Sequence, residues 1–138
     1  MQRIAYIMRG LPGSGKSAVA GELYPPDLFR GAIYSTDEIC KRENMGKYIY
    51  DQEKVGGWHE QNIKEFKKSC EEHIQIVICD NTNILKDHFQ PYIDIALQNE
   101  YMVHILTVGD FNVDKCVERN KHGVPRDVIQ KMKDNFEL

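Results

Sequence analysis

With 138 residues, 41% hydrophobic and 28% charged, the chain has the size and balance of one globular domain, and residues 1–138 are read as a single domain able to bury a core without staples. A net charge of −3 argues against a protein that coats long nucleic acid, which carries a basic surplus, but leaves room to grip a strand end with a few local cations. No apolar run approaches the ~18 residues of a membrane span. The start, Met1-Gln2-Arg3-Ile4-Ala5-Tyr6-Ile7, lacks the apolar core and cleavage site of a signal peptide. Cys40, Cys70, Cys79 and Cys116 form no CxxC pair. They are expected to be reduced, packed thiols in a cytoplasmic protein without a structural metal or a membrane partner.

In chain order, Ile4–Arg9 reads as a short apolar strand running into a Gly-rich turn, and Lys16–Leu23 as a helix stopped by Pro25-Pro26. Ala32–Ser35 is a second strand, Asp37–Arg42 one or two helical turns, and Met45–Gln52 a polar, Tyr-rich loop. Lys54–Cys70 is a helix with Val55, Trp58, Asn62, Phe66 and Cys70 along one face. Gln75–Cys79, a continuous apolar run, suits a strand covered on both sides. Lys86–Asn99 is a helix expected to bury Phe89, Tyr92, Ile93, Ala96 and Leu97, and Met102–Val108 a fourth strand. Val113–Glu118 opens a further helix. Pro125 suits the first turn of a last one, burying Val128, Ile129, Met132 and Phe136. Strands separated by helices imply parallel crossovers, hence an α/β three-layer sandwich of about four parallel strands with helices on both faces. Ligands in such sheets bind at the carboxyl ends of the strands, where Gly10–Ser17, Ser35–Asp37 and Asp80–Asn83 fall.

Gly10-Leu11-Pro12-Gly13-Ser14-Gly15-Lys16-Ser17, with Ala18 continuing into the helix, is a full Walker A match between a strand and a helix. Glycines let backbone N–H groups turn toward phosphate oxygens, and the helix N-terminus adds donors and partial positive charge. Lys16 is expected to reach the β- and γ-phosphates of ATP, and the Ser17 hydroxyl to ligate Mg²⁺. The rival GxGxxA dinucleotide fingerprint in Gly13–Ala18 leaves Gly10 and the Lys16-Ser17 pair unexplained. Asp80, ending a strand, can hold the metal directly or through water, or can serve as a turn or cap residue. Asn81 stands where a motor ATPase places Glu, and Gly123 replaces the Asp of a guanine-reading NKxD motif, so neither class fits. Asp37 can accept a proton from an incoming hydroxyl, or it can be a helix N-cap.

Four segments stand in one order: the Walker A run, Ser35-Thr36-Asp37-Glu38, Asp80-Asn81-Thr82-Asn83 and Arg119-Asn120-Lys121-His122-Gly123-Val124-Pro125. Together they resemble the kinase domain of phage-type polynucleotide 5′-hydroxyl kinases and their eukaryotic kinase-like relatives, over nearly the whole chain. Trp58-His59 through Asn62 falls where those relatives often carry Ala-His-x-x-Asn. The resemblance implies a P-loop kinase fold and phosphoryl transfer from ATP to the 5′-hydroxyl of DNA or RNA. Asp37 would be the general base, Arg119 a lid arginine on the nucleotide, and Arg126 a second one. Where the phage enzyme carries an arginine that grips the acceptor, this chain has Cys40. Lys41 and Arg42 follow and are the candidate substitutes, with Thr82 and Asn83 as further acceptor contacts. Tyr48, Tyr50 and Trp58 can stack on a base or pack the loop, and His59 can touch substrate or fill a polar core site. His73, His88 and His104 carry no pattern. The alternatives are a kinase for a small hydroxyl compound, such as a nucleoside or nucleotide sugar, and an ATP-binding module without catalysis.

Overall fold

The structure, a computed structural model, describes residues 2–24 and 31–138. The expected helix stop at Pro25-Pro26 lies outside the described residues. β1 (Ile4–Arg9) sits between β3 (Ile76–Asp80) and β4 (Met102–Thr107), and β2 (Gly31–Tyr34) flanks β3, giving the order β2-β3-β1-β4. Every pairing is parallel, with Ile4 opposite both Ile76 and Met102. Such connections require crossovers, which the intervening helices supply.

Alternation along β1 sends Ala5 and Ile7 to one face and Tyr6 and Met8 to the other. On the first face, α3 (Val55–Glu71) and α4 (Lys86–Gln98) close a core of Ala5, Ile7, Val77, Cys79, Phe66 and Tyr92. Burying Phe66 alone contributes about 1.5–3 kcal/mol. The Asn62 amide donates to the Tyr92 hydroxyl at 2.8 Å and fixes α3 against α4. On the second face, α1 (Lys16–Leu23) brings Ala20 onto Met8 and Ile78. α2 (Thr36–Glu43) packs Ile39 and Cys40 against Trp58.

α5 (Val113–Arg119) and α6 (Arg126–Asn135) form a separate cluster with Leu11 and Ile84, which lie just beyond β1 and β3. The two helices therefore stand over the carboxyl ends of the strands. The four cysteines are buried and unpaired by disulfides, and burial pushes the Cys79 and Cys70 thiols up to about 12. Among the described residues no helix is long and apolar enough to cross a membrane.

Two expected core positions are exposed. Leu97 is 58% accessible, because the buried stripe of α4 runs through Phe89, Tyr92 and Ala96 and leaves Leu97 on its flank. Val128 is also exposed, since α6 buries Ile129 and turns the preceding residue outward. Pro125 is the N-cap of α6 and not a residue of its first turn.

Arg9, read as the end of an apolar strand, is 4% exposed. Its guanidinium donates to the carbonyls of Asn83, Ile84 and Glu137 and lies between the rings of Phe89 and Phe136. Desolvation lowers its pKa, opposed by the Glu137 charge. Arg9→Met would keep much of the apolar stem but leave three inward carbonyls without their donor. A loss on the order of 1–3 kcal/mol is expected, with faster amide exchange at residues 136–138. Urea unfolding reads the first and hydrogen exchange the second; an unchanged unfolding midpoint would remove Arg9 from the fold's essential contacts.

Candidate functional site

The turn after β1 begins with the Gly10 N–H donating to Thr82 O at 3.1 Å, which ties it to the loop after β3. Ser14 N bonds back to Leu11 O at 3.0 Å, and Gly15 caps α1 in the left-handed region at φ 93°. The first turn of α1 then presents its N–H groups outward. Gly13, at φ +81°, presses against the end of α5: a Cβ there would lie 2.2 Å from Cys116 O and 3.1 Å from Asn120 N.

Lys16 and Ser17 both point to Asp80, the last residue of β3. Ser17 Oγ donates to Asp80 Oδ2 at 2.8 Å, and Lys16 Nζ stands 3.7 Å from Oδ1. Asp80 is 7% exposed, and its Oδ1 has no hydrogen-bond partner. A buried carboxylate oxygen without a hydrogen bond, beside a hydroxyl, is a hard-oxygen donor set. It suits a divalent cation that keeps waters and substrate phosphates as its other ligands. Asp80 is therefore neither a helix cap nor a free turn residue.

Asp37 is the second residue of α2, with Ser35 at the N-cap, so it does not cap the helix. Its backbone is set by Thr36 N donating to Asn81 Oδ1 at 2.9 Å, while Thr36 Oγ1 meets His59 Nδ1 at 3.2 Å. The Asp37 carboxylate is 44% exposed and faces His122 Nε2 at 3.4 Å. The Tyr48 ring lies 4.4 Å from that of His122. Burial, and then the Asp37 charge, push the Tyr48 phenol up to about 12, so it stays neutral beside the carboxylate. Desolvation lowers the His59 pKa, with His88 adding to the effect and Asp37 opposing it.

Lys16, Ser17, Asp37, Tyr48, His59 and His122 line one cavity of about 360 Å³, whereas Gly10, Leu11 and Asp80 stay outside its lining. Its lining combines Pro12–Ala18 of the cradle and α1, Asp37 of α2, His59 of α3, Asn81 and Thr82 after β3, and Arg119–His122 at the end of α5. Tyr48, Tyr50 and Trp58 also reach it. Trp58 is nearly buried, with its indole N–H on Glu43 at 2.7 Å, whereas Tyr50 is exposed. A second cavity of about 230 Å³ shares Gly13, Ser14 and Arg119 and adds Gly109, Asp110 and Lys115. Arg119, the last residue of α5, thus borders both.

Other expected residues lie elsewhere. Lys41 pairs with Glu38 at 3.3 Å, Arg42 makes a two-pronged contact with Glu65 at 2.8 and 3.0 Å, and neither lines the cavity. Asn83 is buried, its amide donating to Met8 O at 2.7 Å, so it braces β1 and does not face the cavity. Arg126 pairs with Asp114 on the exterior. Sequence reasoning missed the His122–Asp37 pair and the Gly109–Asp110 rim. His122 stood inside a quoted motif, and Gly109 follows a strand end, but nothing in the sequence pairs either with its neighbour.

Residues 6–138 match the AAA domain family AAA_33. NEDD4-binding protein 2 of Homo sapiens is 33% identical over 137 residues, covering 97% of this chain. The chain spans only 8% of that curated relative's length. Two solved structures share the fold. A chain of the Pnkp1/Rnl/Hen1 RNA repair complex aligns with a TM-score of 0.75 at 16% identity, over 98% of this chain and 44% of that one. Kti12 of Chaetomium thermophilum, in complex with ADP-AlF3, aligns with a TM-score of 0.66 at 18% identity, over 97% and 80%.

The two left-handed glycines of the cradle separate strain from collision. Gly15→Ala meets nothing within 4 Å and bears only the cost of its positive φ, on the order of 1 kcal/mol. Gly13→Ala meets that cost and a backbone carbonyl at 2.2 Å, so its loss of stability should be clearly larger. Paired urea titrations check the order; equal losses would mean that α5 yields freely.

Proposed function

The chain belongs to the AAA_33 family and has the P-loop kinase fold, and on that premise we propose that it transfers the γ-phosphoryl of ATP to the 5′-hydroxyl of a polynucleotide. The observation that carries the reading is the convergence of Asp37, Lys16, Ser17 and Arg119 on one cavity, with Asp80 in contact with both Lys16 and Ser17. A nucleotide-binding module has no need of a partly exposed carboxylate in the cavity that its phosphate cradle lines; a kinase needs one to receive the acceptor's proton. The choice of a polynucleotide rests on the order of the four sequence segments and on fold likeness to the RNA repair complex chain.

In this reading the P-loop amides and Lys16 hold the β- and γ-phosphates. Mg²⁺, held by Ser17 and Asp80, supplies charge neutralisation on the phosphates when bound. Asp37 accepts the proton of the acceptor hydroxyl. The acceptor oxygen forms a bond to the γ-phosphorus as the bond to the β–γ bridging oxygen breaks, and that oxygen leaves with its electron pair on ADP. Arg119 places a planar donor fork on the transferring group. A small hydroxyl acceptor is the second reading, favoured by one observation: both α2 cations are tied to glutamates and stand outside the cavity.

Labelled γ-phosphate transfer to a panel tests the reading: 5′-hydroxyl oligo-DNA, oligo-RNA, a 3′-mononucleotide and nucleosides. Label on the oligomers is expected, and label on nucleosides alone would replace the reading with the second. Asp37→Asn should leave ATP affinity within a few-fold and cut turnover by roughly 10²–10⁴. Turnover near wild type in that variant would take the role of base away from Asp37.

A further inference from the structure

Building on the kinase reading, we propose that His122 is a positioning residue for Asp37, and that it couples a seated donor site to a ready base. His122 Nε2 faces Asp37 Oδ2 at 3.4 Å, and both residues line the cavity. An exposed carboxylate at the start of a helix can otherwise rotate freely about its side-chain bonds. The neighbouring His122 ring restricts it.

The histidine is itself held from two sides. Tyr48 packs in the cluster of Ile39, Cys40 and Trp58 and offers its ring as a platform at 4.4 Å. From the other side, Asn120 folds the loop that carries the histidine. Its Nδ2 donates to Val124 O at 3.0 Å, and its Oδ1 accepts from His122 N at 3.0 Å. Asn120 also caps α5, with its N–H on Cys116 O at 2.9 Å. Cys116 O and Asn120 N are the two groups against which Gly13 of the phosphate cradle is pressed.

A contiguous chain of contacts therefore runs from the P-loop through Gly13, Asn120 and His122 to Asp37. A nucleotide that fixes the P-loop fixes the support of the histidine. Arg119, adjacent to Asn120, enters the cavity on the same rigid piece. The consequence is ordering: the carboxylate is aimed when α5 and its loop are seated, so that proton acceptance and charge stabilisation at phosphorus become available together.

Steady-state kinetics of the wild type, His122→Ala, His122→Gln and Asn120→Ala test this on the acceptor that the wild type labels, with ATP and acceptor varied separately. His122→Ala should lower kcat roughly 10-fold, the effect of about 1.4 kcal/mol of lost positioning, with little change in the KM for ATP. His122→Gln, whose amide still donates, should recover most of the loss, and Asn120→Ala should fall between. As an activity-independent reading, the His122 ring signals in NMR should shift in Asp37→Asn. Hydrogen exchange at residues 120–124 should slow when an ATP analogue binds.

Wild-type or faster turnover in His122→Ala overturns the inference, the faster case meaning that the pair blocks the base. A glutamine variant no better than alanine, or kcat losses matched by loss of thermal stability in both variants, also overturns it. A wild type that labels no hydroxyl acceptor sinks the kinase reading and this inference with it. A wild type that labels an acceptor while the variants do not differ sinks the inference alone.

Discussion

The cavity depends on one close approach between backbones. Gly13 sits at a positive φ with no side chain, and α5 ends directly against it, so close that a methyl group would overlap Cys116 O. Glycine usually appears in a phosphate cradle because amides must face a ligand. Here it also lets a helix from the far end of the sequence dock on the cradle. Arg119 and the loop 120–124 are placed by that docking, and with them His122, which faces Asp37.

A second constraint holds the same region from behind. Arg9 carries a charge into the protein with no carboxylate in hydrogen-bond contact among the described residues, satisfied by three carbonyls and two aromatic faces. Those carbonyls belong to the loop after β3 and to the C-terminal residues, and Lys86 N bonds the Glu137 carboxylate as well. The arginine thus joins α6 to the strand that ends in Asp80. Guanidinium suits this task better than ammonium because its donors fan out in one plane while its faces stack. Cradle and clamp together fix α5 and α6 at the carboxyl edge of the sheet.

What the sequence made legible follows from locality. Walker A is readable because its eight residues act on each other and on one ligand, and all four strands are readable because each is a short apolar run between breakers. Asp37 and Asp80 stand out by the same rule of position, as carboxylates at or just past the ends of strands. Three features were not readable. Arg9 looked like the polar end of a strand, since its partners lie at Asn83, Ile84 and Glu137. Asn83 looked like a site residue by its place in Asp80-Asn81-Thr82-Asn83, yet its side chain turns back to Met8 O. The Lys41–Glu38 pair follows helical spacing, but the Arg42–Glu65 contact joins two helices and needed the fold.

The distribution of charge gives the site its polarity. Cations on α2 are compensated by Glu38 and Glu65 and stand away from the cavity, while Lys16, Arg119 and Lys121 border it. Positive potential therefore comes from the phosphate cradle and from the end of α5, and the rest of the lining offers a carboxylate, a hydroxyl, an amide and aromatic rings. Such an arrangement draws the polyphosphate of a nucleotide to one half and leaves the other half weakly charged. A group entering that half would be held by hydrogen bonds and ring contacts, which weaken less with salt than ion pairing does. For a polynucleotide acceptor this puts the burden of recognition on the terminal nucleoside beside Asp37, and it makes Tyr50, exposed at 59% on the rim, the planar surface best placed to meet a base.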